Sequence, residues 1–145
     1  MNERIYRQLD PIRLPLVNKL YKDFYPAGKA KRDECIWVAE DNNRIIASVR
    51  FKLIDDVQLL TGMLVLPEYR LKGIANELIQ ATYSQIQQKT CYCFAFQELE
   101  NLYQKSGFDT IEIEKLPNNI KQRFLRYANS GKKLIPMVFV QSSSL

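Results

Sequence analysis

The chain has 145 residues, 46% hydrophobic and 26% charged, and a net charge of +5. This is the size and mixture of one soluble domain able to bury a core, and no apolar run approaches the ~20 residues of a membrane span. Histidine is absent, which removes the usual zinc sites and the Ser-His and Cys-His nucleophile pairs and leaves Tyr, Asp, Glu, Lys, Cys or water for proton transfer.

In chain order, residues 3–8 read as a short strand. Asp10-Pro11 follows as an N-cap and first-turn pair. Pro15 argues for a short turn before a helix over about 14–25, with Leu16, Val17, Leu20 and Phe24 on one face. Pro26 to Glu34 is a polar, basic loop. "CIWVAE" and "RIIASVRFKL" read as strands joined at Asn42-Asn43, a pair that tolerates positive φ. After Asp55-Asp56 comes a third strand, "VQLLTGMLVL". Residues 74–88 read as one helix with Ile74, Leu78, Ala81 and Ile86 inside.

"TCYCFAF" is an aromatic-rich strand, in which Cys91 and Cys93 share a face as small buried side chains. "QELENLYQKS" is a short helix ending at Gly107. Phe108 to Ile113 reads as a strand, Pro117 to Tyr127 as a helix with Ile120, Phe124 and Leu125 on one face, and "LIPMVFV" as a closing strand that Pro136 assigns to an edge or a bulge. The order β-α-β-β-β-α-β-α-β-α-β predicts a mixed α/β (α+β) sheet with helices on both faces. One domain over 1–141 is expected, with 142–145 as a tail. No apolar leader segment stands at the N-terminus, so a cytoplasmic protein is the expectation.

"LPEYRLKGIANEL", Leu66 to Leu78, carries the chain from strand to helix. Pro67 ends the ladder, and the amides of Lys72, Gly73, Ile74, Ala75 and Asn76 are candidates for the helix's unpaired first donors. With the helix dipole they suit a phosphate; Gly73 permits close approach, and Arg70 and Lys72 add charge. Neither a nucleoside triphosphatase loop nor a dinucleotide fingerprint is present. Gly62, inside the preceding strand, marks a bulge or a close approach.

Arg70-Leu71-Lys72-Gly73-Ile74-Ala75 resembles the R/Q-x-x-G-x-G/A signature of the GNAT superfamily of N-acetyltransferases. "MLVLPEY" looks like that family's fourth strand, and "LYQKSGF", Leu102 to Phe108, resembles the L-Y-x-K-x-G-F after its fifth. Many relatives have glycine where Leu71 stands. Two positions upstream of Tyr103 also depart, with Phe96 and Leu99 in place of the common Asn and Ala.

The resemblance implies a mostly antiparallel central sheet of about seven strands and acetyl-CoA, or another acyl-CoA, as donor substrate, without a metal. It implies a pyrophosphate on the amides of 72–76, beside Arg70 and Leu71. It also implies a pantetheine arm bonded to the backbone of Met63 and Val65 between the splayed fourth and fifth strands, with a bulge at Gly62 opening that slot. The thioester carbonyl would receive an N–H near Met63 or Leu64. Tyr103 matches the family's tyrosine and is the implied general acid for the departing thiolate.

No general base stands out; Glu68, Asp55 and Asp56 read as solvated loop charges. Lys29 and Lys31 lie in the segment that tends to form the family's acceptor wall, and would suit an acceptor bearing carboxylate or phosphate. A small-molecule or peptide amine is the expected acceptor, and homodimers are frequent in the family. A non-catalytic acyl-CoA-binding regulator is the alternative. A nucleic-acid-directed enzyme is disfavoured, because no basic stripe is interleaved with exposed aromatics.

Overall fold

Asn42 and Asn43 both take positive φ, 50° and 66°, and close a two-residue hairpin between β2 (Cys35–Asp41) and β3 (Arg44–Ile54). In the computed structural model, which describes residues 4–24 and 30–140, five further strands join them: β1 (Arg4–Gln8), β4 (Val57–Val65), β5 (Cys91–Phe96), β6 (Phe108–Thr110) and β7 (Leu134–Phe139). The sheet order is β1-β2-β3-β4-β5-β7-β6. Pairs β1–β2, β2–β3, β5–β7 and β6–β7 are antiparallel, and β4–β5 is parallel. The mixed sheet read from the element order is therefore present.

The chain forms two compact units, Met1–Lys52 with Thr61–Tyr83, and Leu53–Leu60 with Ser84–Leu145. In the first, α1 (Leu14–Phe24) follows a 3₁₀ turn whose Asp10 carboxylate accepts from the Ile12 amide at 3.1 Å. Its inner face is centred on Val17 and Tyr21, both fully buried, whereas Leu16 and Phe24 are exposed. These pack with Leu9, Ala30, Ile36, Val38, Ile45 and Leu64. The helix read over 74–88 is in fact interrupted: α2 (Ile74–Ala81) stops at Thr82 and α3 (Tyr83–Ile86) follows. The Thr82 hydroxyl donates to the Ile79 carbonyl at 2.7 Å, competing with the helical ladder. Ile79 is buried, and Ala81 only half-buried.

The second unit has an apolar core of Ile54, Leu59, Tyr92, Leu116, Ile120 and Phe124. It includes α4 (Glu100–Lys105) and α5 (Asn118–Asn129). Pro136 belongs to an interior strand, contrary to the edge or bulge expected of it. β6 ends at Thr110, and the next residue, Ile111, donates to the Pro136 carbonyl at 3.0 Å. The ladder stops where proline has no N–H to return, so the strand expected to reach Ile113 is three residues long.

Candidate functional site

The parallel ladder pairs Gln58, Leu59 and Leu60 with Cys91, Tyr92 and Cys93. β4 then continues from Thr61 to Val65. Gly62 has φ +65° and lies in the interior of that strand. A Cβ there would come within 2.6 Å of the Arg50 Nε, so the sequence-level reading of a close approach is met by a guanidinium. Leu64 is buried, and Met63 and Val65 are half-buried.

Beyond β4, Pro67–Tyr69 form a 3₁₀ turn that ends at Arg70. The Arg70 Nε donates back to the Val65 carbonyl at 3.0 Å, which ties the loop to the end of its strand. Leu71 adopts a left-handed φ of 64° with a fully exposed side chain. Glycine takes that conformation without strain, whereas another L-residue incurs roughly 1–2 kcal/mol. The Lys72 Nζ sits 5.6 Å from the centre of the Tyr69 ring, and the Tyr69 hydroxyl donates to the buried Asp41 carboxylate at 3.1 Å.

Gly73, φ 78°, is the N-cap of α2 and supplies no side-chain cap. The first bond of the helix runs from the Glu77 amide to the Gly73 carbonyl, 3.0 Å. A side chain added at Gly73 would meet nothing within 4 Å, so the approach to the helix start is open. Ile74 is buried and anchors the turn; Ala75 and Asn76 are half-buried. Arg70 to Asn76 thus form one continuous loop and helix start, with two cations exposed beside it.

In the second unit Tyr103, on α4, is 3% exposed. Its ring meets Phe108 edge-on at 5.7 Å, and its hydroxyl is hydrogen-bonded with the Cys93 thiol. Cys91 and Cys93 are free and buried. Burial pushes the Cys91 thiol up to about 12, against a smaller opposing effect of a backbone bond at Leu60. Burial and then the neighbouring Cys91 raise Cys93 well above the ordinary thiol range, with the Tyr103 bond acting the other way. Both are packing residues with little thiolate character.

Lys29 lies outside the described residues. Lys31 is exposed, and its amide donates to the Glu34 carboxylate at 2.6 Å. Among the described residues, no group of three or more Cys, Asp or Glu could hold a metal ion, and no helix is long and apolar enough to cross a membrane.

The Acetyltransferase (GNAT) domain family matches residues 32–110, more than half of the sequence. The chain belongs to the GNAT acetyltransferase family. Solved structures with the same fold include N-acetylglutamate synthase from Neisseria gonorrhoeae complexed with coenzyme A and N-acetyl-glutamate. That structure has TM-score 0.74 and 13% identity, and the match covers 94% of this chain and 35% of that one. Rv2747 from Mycobacterium tuberculosis, in complex with CoA and NLQ, has TM-score 0.71 and 15% identity over 94% of this chain and 99% of that one. The ribosomal-protein-S18-alanine N-acetyltransferase from Escherichia coli has TM-score 0.67 and 13% identity, with 99% of each chain covered. This GNAT family member spans about a third of the length of the synthase structures. A search of curated proteins finds no match.

Sequence reasoning missed the polar groups under Gly62. Tyr21 was outside the helix stripe, yet its hydroxyl donates to the Gly62 carbonyl at 2.7 Å and lies 3.1 Å from the Ser48 Oγ. Arg50 is 6% exposed, with its Cζ 4.7 Å over the Tyr21 ring and its Nε 3.8 Å from the Glu34 carboxylate. The available signal was β3 itself: "IIASVRF" lacks alternation, so it is buried on both faces, and an arginine there demands partners.

Proposed function

We propose that this GNAT family protein moves an acetyl group from acetyl-CoA to a primary amine of a small molecule or peptide. The observation that carries the reading is the loop from Arg70 to Asn76: an uncapped helix start, glycine at the turn and two exposed cations. A pyrophosphate suits these donors and charges, and the backbone of Met63 and Val65 is the proposed partner of the pantetheine arm.

In the proposed reaction the neutral amine nitrogen attacks the thioester carbon, and an N–H at Met63 or Leu64 receives the developing oxyanion. The C–S bond then breaks. The departing thiolate takes the Tyr103 hydroxyl proton, and the proton lost by the amine returns to solvent and thence to the phenolate. The products are an amide and free CoA thiol. The basic segment around Lys31, with Lys29 beside it in sequence, favours acceptors bearing carboxylate or phosphate. One domain over 1–141 is proposed to contain all these roles.

Burial of Tyr103 and its bond to Cys93 favour a second reading, in which the tyrosine only packs and the protein binds acyl-CoA to regulate a partner. One experiment separates the two: thiol release from acetyl-CoA, followed across polyamines, amino acids, aminoglycosides and peptides. Tyr103→Phe is expected to lower turnover about 10²–10⁴-fold with little change in CoA affinity. Turnover equal to the parent protein would remove the acid role.

A further inference from the structure

We propose that Tyr21 is a positioning residue that aims the Met63 N–H, and that Arg50 is the wedge that keeps it aimed. This rests on the reading of β4 as the donor-binding strand. Gly62 C=O and Met63 N–H belong to one planar trans peptide, so they point in opposite directions. Whatever holds the carbonyl of Gly62 therefore fixes the direction of the Met63 amide.

Glycine at φ +65° supplies no rigidity of its own, since it reaches either sign of φ with ease. The rigidity comes from its neighbours. The Tyr21 side chain is fully buried, and its hydroxyl donates to the Gly62 oxygen at 2.7 Å. Ser48, also fully buried, lies 3.1 Å from the same hydroxyl and fixes its position from β3.

Arg50 then fills the volume that a side chain at Gly62 would need. Its Nε, Cζ and Nη2 stand 2.6, 3.1 and 3.2 Å from the Cβ position. The guanidinium is itself held, over the Tyr21 ring at 4.7 Å and beside Glu34 at 3.8 Å. Glu34 is anchored in turn by the Lys31 amide.

A buried arginine is a costly way to fill space, and an apolar side chain of like volume would stabilise at least as well. Its use here fits a site where one peptide must be held in one orientation by groups whose own rotamers are locked. Tyr21 and Arg50 touch no reacting atom in this account; they act through the 62–63 peptide.

The test uses the full chain and two probes. ADP carries a pyrophosphate but no pantetheine arm, so it reports on residues 70–76; acetyl-CoA also reports on β4. Tyr21→Phe is expected to bind ADP as the parent protein does and acetyl-CoA about tenfold more weakly, the range of one well-placed hydrogen bond. In amide spectra of the labelled protein the Met63 resonance should shift while those of Gly73 and Ile74 stay.

Gly62→Ala should show the same split, and adding Arg50→Ala should recover part of its loss, since the clash is with Arg50. Parent protein that binds neither probe would overturn the donor-site reading. Binding of both probes, with the Tyr21 and Gly62 variants weakening neither or both equally, would overturn the positioning role alone.

Discussion

The two compact units are built from different physics. In the first, charge goes inside: Glu40, Asp41 and Arg50 are the buried charged residues among those described, and the described ion pairs all fall there. In the second, the buried polar side chains described are Gln58 and Ser106, and aromatic edges do the packing. Phe94 meets Phe124 at 5.2 Å, and Phe108 meets Tyr103 at 5.7 Å and Phe139 at 5.4 Å. Left-handed residues occur in both units, Asp55, Gly107 and Gly131 in the second among them, but Gly62 in the first lies inside a strand and has its carbonyl held by the Tyr21 hydroxyl. Directional contacts can hold a backbone in such conformations, whereas apolar packing fixes volume more than direction.

The contrast is broken most severely by removing volume from the second unit. Phe108 is fully buried between two rings, and Phe108→Ala is expected to cost about 3–5 kcal/mol of stability in chemical denaturation. A loss below 1 kcal/mol would mean that the aromatic cluster is not what holds this unit.

Glu40 probes the first unit. Burial alone would raise its pKa, but hydrogen bonds and charge from Arg7 and Arg13 hold it below the ordinary carboxylate range. A depressed folded value contributes stability above the unfolded pKa, and that contribution is lost as pH falls through the folded value. Glu40→Gln should cost about 1–3 kcal/mol at neutral pH, discounted because both arginines are partly exposed. It should also flatten the acid limb of the melting profile below about pH 4.5. An unchanged acid limb would assign the acid sensitivity elsewhere.

Much of this was readable in the amino-acid sequence, because local rules and packing agree there. The Asn42-Asn43 hairpin, the Asp10 cap and the strand-to-helix loop at Gly73 all follow from residue types with one strong conformational preference. Pro136 was misread because its lost donor matters only where a partner strand needs it, and β6 has ended by then. Tyr21 and Arg50 escaped notice because their partners lie on other elements, and a single buried polar contact leaves no periodicity. Tyr103 was found by motif; periodicity would have classed it with the other packed aromatics.

A smaller effect sharpens the comparison at Leu71. Its left-handed backbone is strained and its side chain fully exposed, so Leu71→Gly should stabilise by about 1 kcal/mol. A destabilised variant would show that this leucine makes a contact in the protein as it works.

The central claim is that residues 70–76 and β4 receive acetyl-CoA, and thermal melting of the full chain with that ligand tests it most directly. Acetyl-CoA at 100 times its dissociation constant should add about 2.7 kcal/mol of stability, and Lys72→Glu should shrink the shift. A melting temperature unmoved by millimolar acetyl-CoA would contradict the account.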